Sequence, residues 1–449
     1  MSLQNYPKTR RLNCFSKVDT LGSFDFYSYI VFLESIQPED IVKAAKSSIA
    51  ARNGAKLTVE QYHAQCKLFS LAIHEYTHFV DSSSTLWGLR YMRLLDAGYQ
   101  AHGHPDGIDA FPPAKQLYDF GRSIRWPDYY TEKYTHGDPS LRPWTGSVTG
   151  GRVFDGQGRP TARPIIFVRF GDNMGRDIVR SPLSTVSVLE ASAYAQELSY
   201  IVASSAQLSD DERVVEMHHI SNRTLDYIYH KELTEYSVCA HLFAVTQGCT
   251  DIGIAYRCLG MLTRWVLNIP VAALPMILER VGAALQQANG WSPESQPTQL
   301  VRDAVVRHDL GALYYLLVVC LPSNSYVSLD RLKSGIAASL DCLGLDLNEL
   351  KASAEAEAGD AARHLSASPI EQIRSLADAG RRNFKAVSWE TEELPWANLH
   401  LPKAMLGDLS LTHLFHVPDN VLMDYDVEKS YEDLFARERW VRSFAEACF

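Results

Sequence analysis

His74 and His78 stand four residues apart with a carboxylate between them, in the pentapeptide His74-Glu75-Tyr76-Thr77-His78. Residues four apart share one face of a helix, so both imidazoles can reach a single metal ion. Glu75 then lies beside that ion, where it can take a proton from water. The chemistry this points to is metal-assisted hydrolysis. It requires a helix beneath the pentapeptide, a third protein ligand from elsewhere, and a fourth position left open.

The helix is legible. Thr58 and Gln61 have the spacing of a capping box just ahead of an apolar-periodic run. Tyr62, Cys66, Phe69, Ile73, Tyr76 and Val80 then recur at steps of four and three, which is a buried helix stripe. His74 and His78 fall at the border of this stripe, about 100° around from Ile73 and Thr77. A lone histidine there would be read as a core residue; a pair with Glu between them reads as a metal face.

The pentapeptide resembles the zinc-site motif of the zincin metallopeptidases. The resemblance implies a zinc cofactor, a protein or peptide substrate, and Glu75 as general base. The metzincin extension would need Gly at position 81 and His at position 84, and this chain has Asp81 and Ser84. The segment from Val188 to Glu197 resembles instead the second zinc helix of gluzincins, with Glu190 as third ligand and a small residue, Ala193, three positions on. Ala191, Ala193 and Ala195 would let this helix approach the first closely. Glu197, two turns beyond Glu190, is an alternative ligand or a group that orients a histidine. Asp96, followed by Tyr99, is partly similar to the Asp-x-x-Tyr of aspartate-liganded zincins, but Arg93 and Leu94 replace the preceding Gly-Thr. His102 and His104 also remain open as ligands, in a Gly/Pro-containing stretch. The resemblance further implies a donor to the developing oxyanion, for which Tyr194, Tyr227, His218 and His219 are candidates. Asp81, three residues after His78, either supports a histidine ligand or is merely solvated.

The 449 residues are long enough for several domains. The 46% apolar and 21% charged composition is that of an ordinary globular protein. The net charge of −10 and the lack of a basic stripe argue against nucleic acid as partner. Eight scattered cysteines without C-x-x-C spacing read as reduced core residues. The amino terminus has no apolar signal core, and the apolar run from residue 310 is too short for a membrane span, so a cytoplasmic location without membrane association is expected.

The elements that must position the site follow from periodicity. Residues 24–33 read as a strand, 37–51 as a helix, 58–81 as the metal helix, and 86–99 as its resumption after a Ser/Thr break. Residues 102–150 read as a long ordered loop, and 150–170 as a hairpin turning at Gly156-Gln157-Gly158; the zincin resemblance implies an edge strand that binds extended substrate, and this hairpin is either that strand or a plain structural one. From Pro182 onward the pattern is helical, with segments near 225–245, 252–267, 271–287, 300–321 and 328–340, a linker at 286–299, and a final amphipathic helix. The expected fold is α+β and predominantly α-helical. A zincin-like core with a small sheet occupies residues 1–205, a helical region completing it 206–290, and a mainly helical C-terminal region 291–449. The function expected is zinc-dependent peptide hydrolysis. The alternatives are an inactive zincin-fold protein that binds a partner, and an amidase that uses the same groups.

Overall fold

Residues 24–33, which read as one strand, reverse on themselves. β1 (Ser23–Asp25) and β2 (Ile30–Phe32) pair antiparallel, with Phe24 opposite Val31. The Asp25 carboxylate drives the reversal: it accepts from the Tyr27 N–H at 3.1 Å and from the Ser28 hydroxyl. Tyr29 completes the turn in the left-handed region, at φ 58°. An aspartate that bonds the backbone two residues on favours a turn over a continued ladder, which strand propensity alone does not register.

The computed structural model describes residues 21–103, 111–406, 409–411 and 426–447. β2 continues in parallel to β7 (Ala404–Leu406), which pairs with β8 (Leu409–Leu411), so the first sheet runs β1-β2-β7-β8. A second sheet, in the order β3-β6-β5-β4, is built from β3 (Glu132–Lys133), β4 (Thr145–Phe154), β5 (Pro160–Gly171) and β6 (Asp177–Leu183). The β4–β5 hairpin turns where the glycines predict, with Asp155 Oδ1 accepting from the Gln157 and Arg159 N–H groups at 2.9 Å each.

Helices make up most of the chain. α1 (Pro38–Arg52) precedes α2 (Val59–Ser83), which carries the pentapeptide. The α2 capping box is formed: Thr58 Oγ1 accepts from Gln61 N at 3.3 Å, and Gln61 Oε1 from Thr58 N at 3.0 Å. The Ser/Thr break ends α2 and starts α3 (Leu86–Gln100), whose cap is Thr85, accepting from Gly88 N at 3.0 Å.

Two expectations fail nearby. The stretch expected as a loop over 102–150 contains α4 (Phe111–Ile124) and the start of β4. Pro112 and Pro113 lie in the first turn of α4, where their missing N–H groups would have no intrahelical partner anyway. Pro182 does not open a helix but pairs with Phe167 in β6; α5 (Thr185–Ser204) begins after the Ser184 cap.

Beyond α5 come α6 (Asp210–Ile228), α7 (Thr234–Gln247), α8 (Ile252–Leu267), α9 (Leu274–Asn289), α10 (Gln296–Val306), α11 (Leu310–Val319), α12 (Leu329–Cys342), α13 (Leu347–Ser366), α14 (Glu371–Ala386) and α15 (Val427–Ala447). The segments read as single helices near 225–245 and 300–321 are each two helices, because α6 stops at Ile228 and Asp309 caps α11 from Ala312 N at 2.9 Å. Only residues 290–295 of the expected linker are non-helical. The buried core is continuous from Phe24 of β1 to Val441 of α15. Among the described residues no single helix is long and apolar enough to cross a membrane, and Cys66, Cys239, Cys249, Cys258, Cys320 and Cys342 are free thiols.

The C-terminal half closes directly on α2. Tyr76 donates its hydroxyl to the Pro402 carbonyl at 2.7 Å. Gly380 of α14 sits so close to the end of α2 that an added Cβ would lie 2.1 Å from the Ser83 carbonyl oxygen. Gly380→Ala is therefore expected to destabilise the fold by about 1–3 kcal/mol through overpacking, read as a lower urea midpoint than wild type.

Candidate metal centre

α2 and α5 lie antiparallel, and the contacts along them show it. Tyr62 donates its hydroxyl to the Ile201 carbonyl at 3.2 Å, and Gln65 Nε2 donates to Tyr200 Oη at 3.0 Å. One turn further, His74 Nδ1 meets Glu197 Oε2 at 2.9 Å, and at the far end His78 Nε2 lies 3.7 Å from Glu190 Oε1. Ala191, Ala193 and Ala195 are all buried, as close approach of two helices requires.

His74, His78 and Glu190 each turn one ligand atom toward a common point, all within 4.8 Å of one another. Three donors at 2.0–2.2 Å from one tetrahedral ion would stand roughly 3.3–3.6 Å apart. His74 Nε2 is 3.4 Å from Glu190 Oε2, and His78 Nε2 is 3.7 Å from Oε1, the other oxygen of the same carboxylate. These separations are long for hydrogen bonds, and the three side chains are close enough together to hold one cation. With Nδ1–H given to Glu197, the lone pair of His74 is left on Nε2, facing the cluster. His78 Nδ1 is buried without a partner among the described residues. Two imidazoles and a carboxylate therefore fit a divalent metal ion, with Glu197 orienting the first histidine.

The electrostatics agree. Burial would raise the Glu190 carboxyl, but the two imidazoles outweigh it and hold it well below the usual carboxylate range. Burial opposes charge on His74, yet Glu190 and Glu197 raise its pKa well above the ordinary value. At His78 burial prevails and lowers it. The carboxylates thus call for positive charge at this point, which one imidazolium or a metal ion can supply.

A cleft of about 350 Å³ opens onto the cluster. His74, Glu75, His78, Glu190 and Glu197 all line it. Glu75 is only 6% exposed, and Gly22 lies against it: a Cβ on Gly22 would stand 3.2 Å from Glu75 Oε1. The walls are apolar and aromatic. Phe26, brought in by the β1–β2 reversal, packs its ring 5.7 Å from that of His78. Tyr194 and Tyr227, both candidates from sequence, line the cleft and stack at 4.5 Å. Burial pushes both phenols up, so each keeps its proton at neutral pH. Leu233 and Tyr236, delivered by the α6–α7 break, complete the wall and were not singled out from sequence.

The other sequence candidates lie elsewhere. Asp96 is buried on α3, where it accepts the Ser368 hydroxyl. The His102 ring faces Trp440 at 6.2 Å. His104 falls outside the described residues. His218 and His219 are exposed on α6, and neither lines the cleft. No residue of the β4–β5 hairpin lines it either; the strand at the cleft is β1, through Ser23 and Phe24.

Asp81 lies one turn beyond His78. Burial pushes its carboxyl up to about 7, against the lowering effect of the Ser192 hydroxyl and the Arg264 guanidinium. Its Oδ2 has no partner among the described residues.

Two outcomes are expected. Glu190→Ala loses the bound metal, whereas Glu197→Gln keeps it with affinity lower by about 10–100-fold, measured by elemental mass spectrometry and chelator competition. An unfolded Asp titrates near 3.9, so from about pH 4 to 7 the folded chain holds a proton on Asp81 that the unfolded chain releases. That contribution to stability is present at low pH and declines through this window as pH rises, by at most about 4 kcal/mol. In Asp81→Asn the decline between pH ~5 and ~8 is smaller than in wild type, read from urea unfolding.

No protein-family model, curated protein or solved structure matches this chain.

Proposed function

We propose that the chain is a zinc-dependent metallopeptidase in which His74, His78 and Glu190 hold the ion and Glu75 is the general base. One observation carries the reading: two antiparallel helices set Glu190 between the imidazoles at ligand spacing, and Glu75 opens into the same cleft. Bound zinc would lower the pKa of water to about 7 and polarise a substrate carbonyl.

The chain's own groups do the rest. Glu75 accepts the proton of the attacking water on its carboxylate, then delivers it to the leaving nitrogen. Its low exposure strengthens that transfer by limiting competing solvent. Glu197 holds the His74 ring through Nδ1, so that Nε2 points to the cluster. Tyr194 and Tyr227, kept protonated by burial, line the cleft and are the hydroxyl donors for the developing oxyanion. The aromatic and aliphatic walls exclude water and accept neutral apolar groups of a peptide.

The test is Glu75→Gln assayed on a mixed peptide library by mass spectrometry, beside its metal content. Expected is unchanged zinc with cleavage slower by at least about 100-fold. Cleavage at the wild-type rate would remove Glu75 from the mechanism, and a purified chain holding iron in place of zinc would overturn the zinc reading.

A further inference from the structure

A second cavity, of about 630 Å³, lies away from the metal cluster, between α13, α14 and the segment that follows α14. Its floor is Leu89 of α3, and Phe384 and Trp389 form an aromatic corner, with ring centroids 6.1 Å apart at 83°. Trp389 is fixed from behind by Trp265, at 5.1 Å and 85°. Three cations ring the opening: Lys351, Arg381 and Lys385. Lys351 pairs with Glu390, and Arg381 with Asp378 at 2.9 Å. Lys385 has no ion-pair partner among the described residues. Glu355 is the one acid in the lining. Gly359 of α13 faces the cavity, and a Cβ there would meet nothing within 4 Å.

We propose that this cavity binds a planar aromatic anion, its ring against Phe384 and Trp389 and its acid group at Lys385. The volume suits a ligand of nucleotide size. An aromatic corner with a cation at its rim recognises a ring and a negative charge together, which neither a neutral arene nor a bare inorganic ion supplies. In a chain of net charge −10, an unpaired lysine beside an apolar floor is a local reversal of the prevailing sign. The proposal does not depend on the metal site.

Calorimetric titration of the full chain tests it, with adenosine monophosphate, indole-3-propionate and neutral adenosine as probes. One of the two anions is expected to bind 1:1 with Kd below ~1 mM, and adenosine at least ~10-fold more weakly. The preferred anion identifies the acid as phosphate or carboxylate. Gly359→Phe fills the open space at a helical position that favours a side chain over Gly. It is expected to abolish binding while leaving the metal content unchanged and the unfolding midpoint no lower than in wild type. Lys385→Glu, an exposed change, should weaken binding by at least ~10-fold. Anions that bind no better than adenosine, or binding that persists in Gly359→Phe, would overturn the proposal.

Discussion

The arrangement depends on one buried negative charge. Glu190 is 4% exposed, and a carboxylate so deep in a protein is tolerated only where positive charge or hydrogen bonds meet it. His74 and His78 meet it from α2, and everything else that matters at the site follows from holding those two helices together. The alanines of α5 allow the approach, the capping boxes at Thr58 and Ser184 fix where each helix starts, and Glu197 adds a second link two turns further along α5. Removing the compensation at this point would leave a charge that the surrounding apolar residues cannot solvate.

The cleft around that charge is assembled from parts distant in sequence. β1 supplies Gly22 at its approach and Phe24, the turn after it supplies Phe26, and the α6–α7 break supplies Leu233 and Tyr236. The result is a pocket whose charged lining is acidic or imidazole and whose other walls, apart from Ser23 and the tyrosine hydroxyls, are apolar. Low polarity in the walls strengthens every charge interaction inside, which favours both cation binding and a carboxylate base. Behind it, Arg264 links α2 to the C-terminal half: its charge bears on Asp81 of α2 while it donates to the Ser388 and Thr391 carbonyls at 2.8 and 2.7 Å.

Those parts of the site that depend on helix periodicity could be read from the chain. His74, Glu75 and His78 announce themselves because i and i+4 share a face, and α2 itself was bounded by its capping box and its break. Glu190 came from the resemblance of its segment to a second zinc helix, although 112 positions separate it from His78. That interval contains α3, α4 and the second sheet, and only the return of α5 along α2 brings Glu190 back. The mainly helical α+β class was likewise legible from periodicity. The reversal at Asp25 was not, because a side-chain hydrogen bond overrode aromatic strand propensity. α4 was hidden by Pro112 and Pro113, which are compatible with a first turn and look like breakers only in isolation. Phe26, Leu233 and Tyr236 carry no local signature at all; their place in the cleft is set by turns and helix ends.

Tyr76 lies inside the metal pentapeptide, yet its hydroxyl is satisfied by a carbonyl 326 positions further along the chain. Gly380, close by, abuts the end of the same helix. The consequence concerns the order of events on the ribosome. While the first half of the protein emerges, α2 and α5 can meet, but the hydrogen bond from Tyr76 to Pro402 cannot form until residue 402 has been synthesised. Contacts this distant are made late, after the local helices have formed. α2 is thus among the first elements to exist and among the last to be fully enclosed, and a chain truncated before residue 402 would carry the pentapeptide without the Tyr76–Pro402 hydrogen bond.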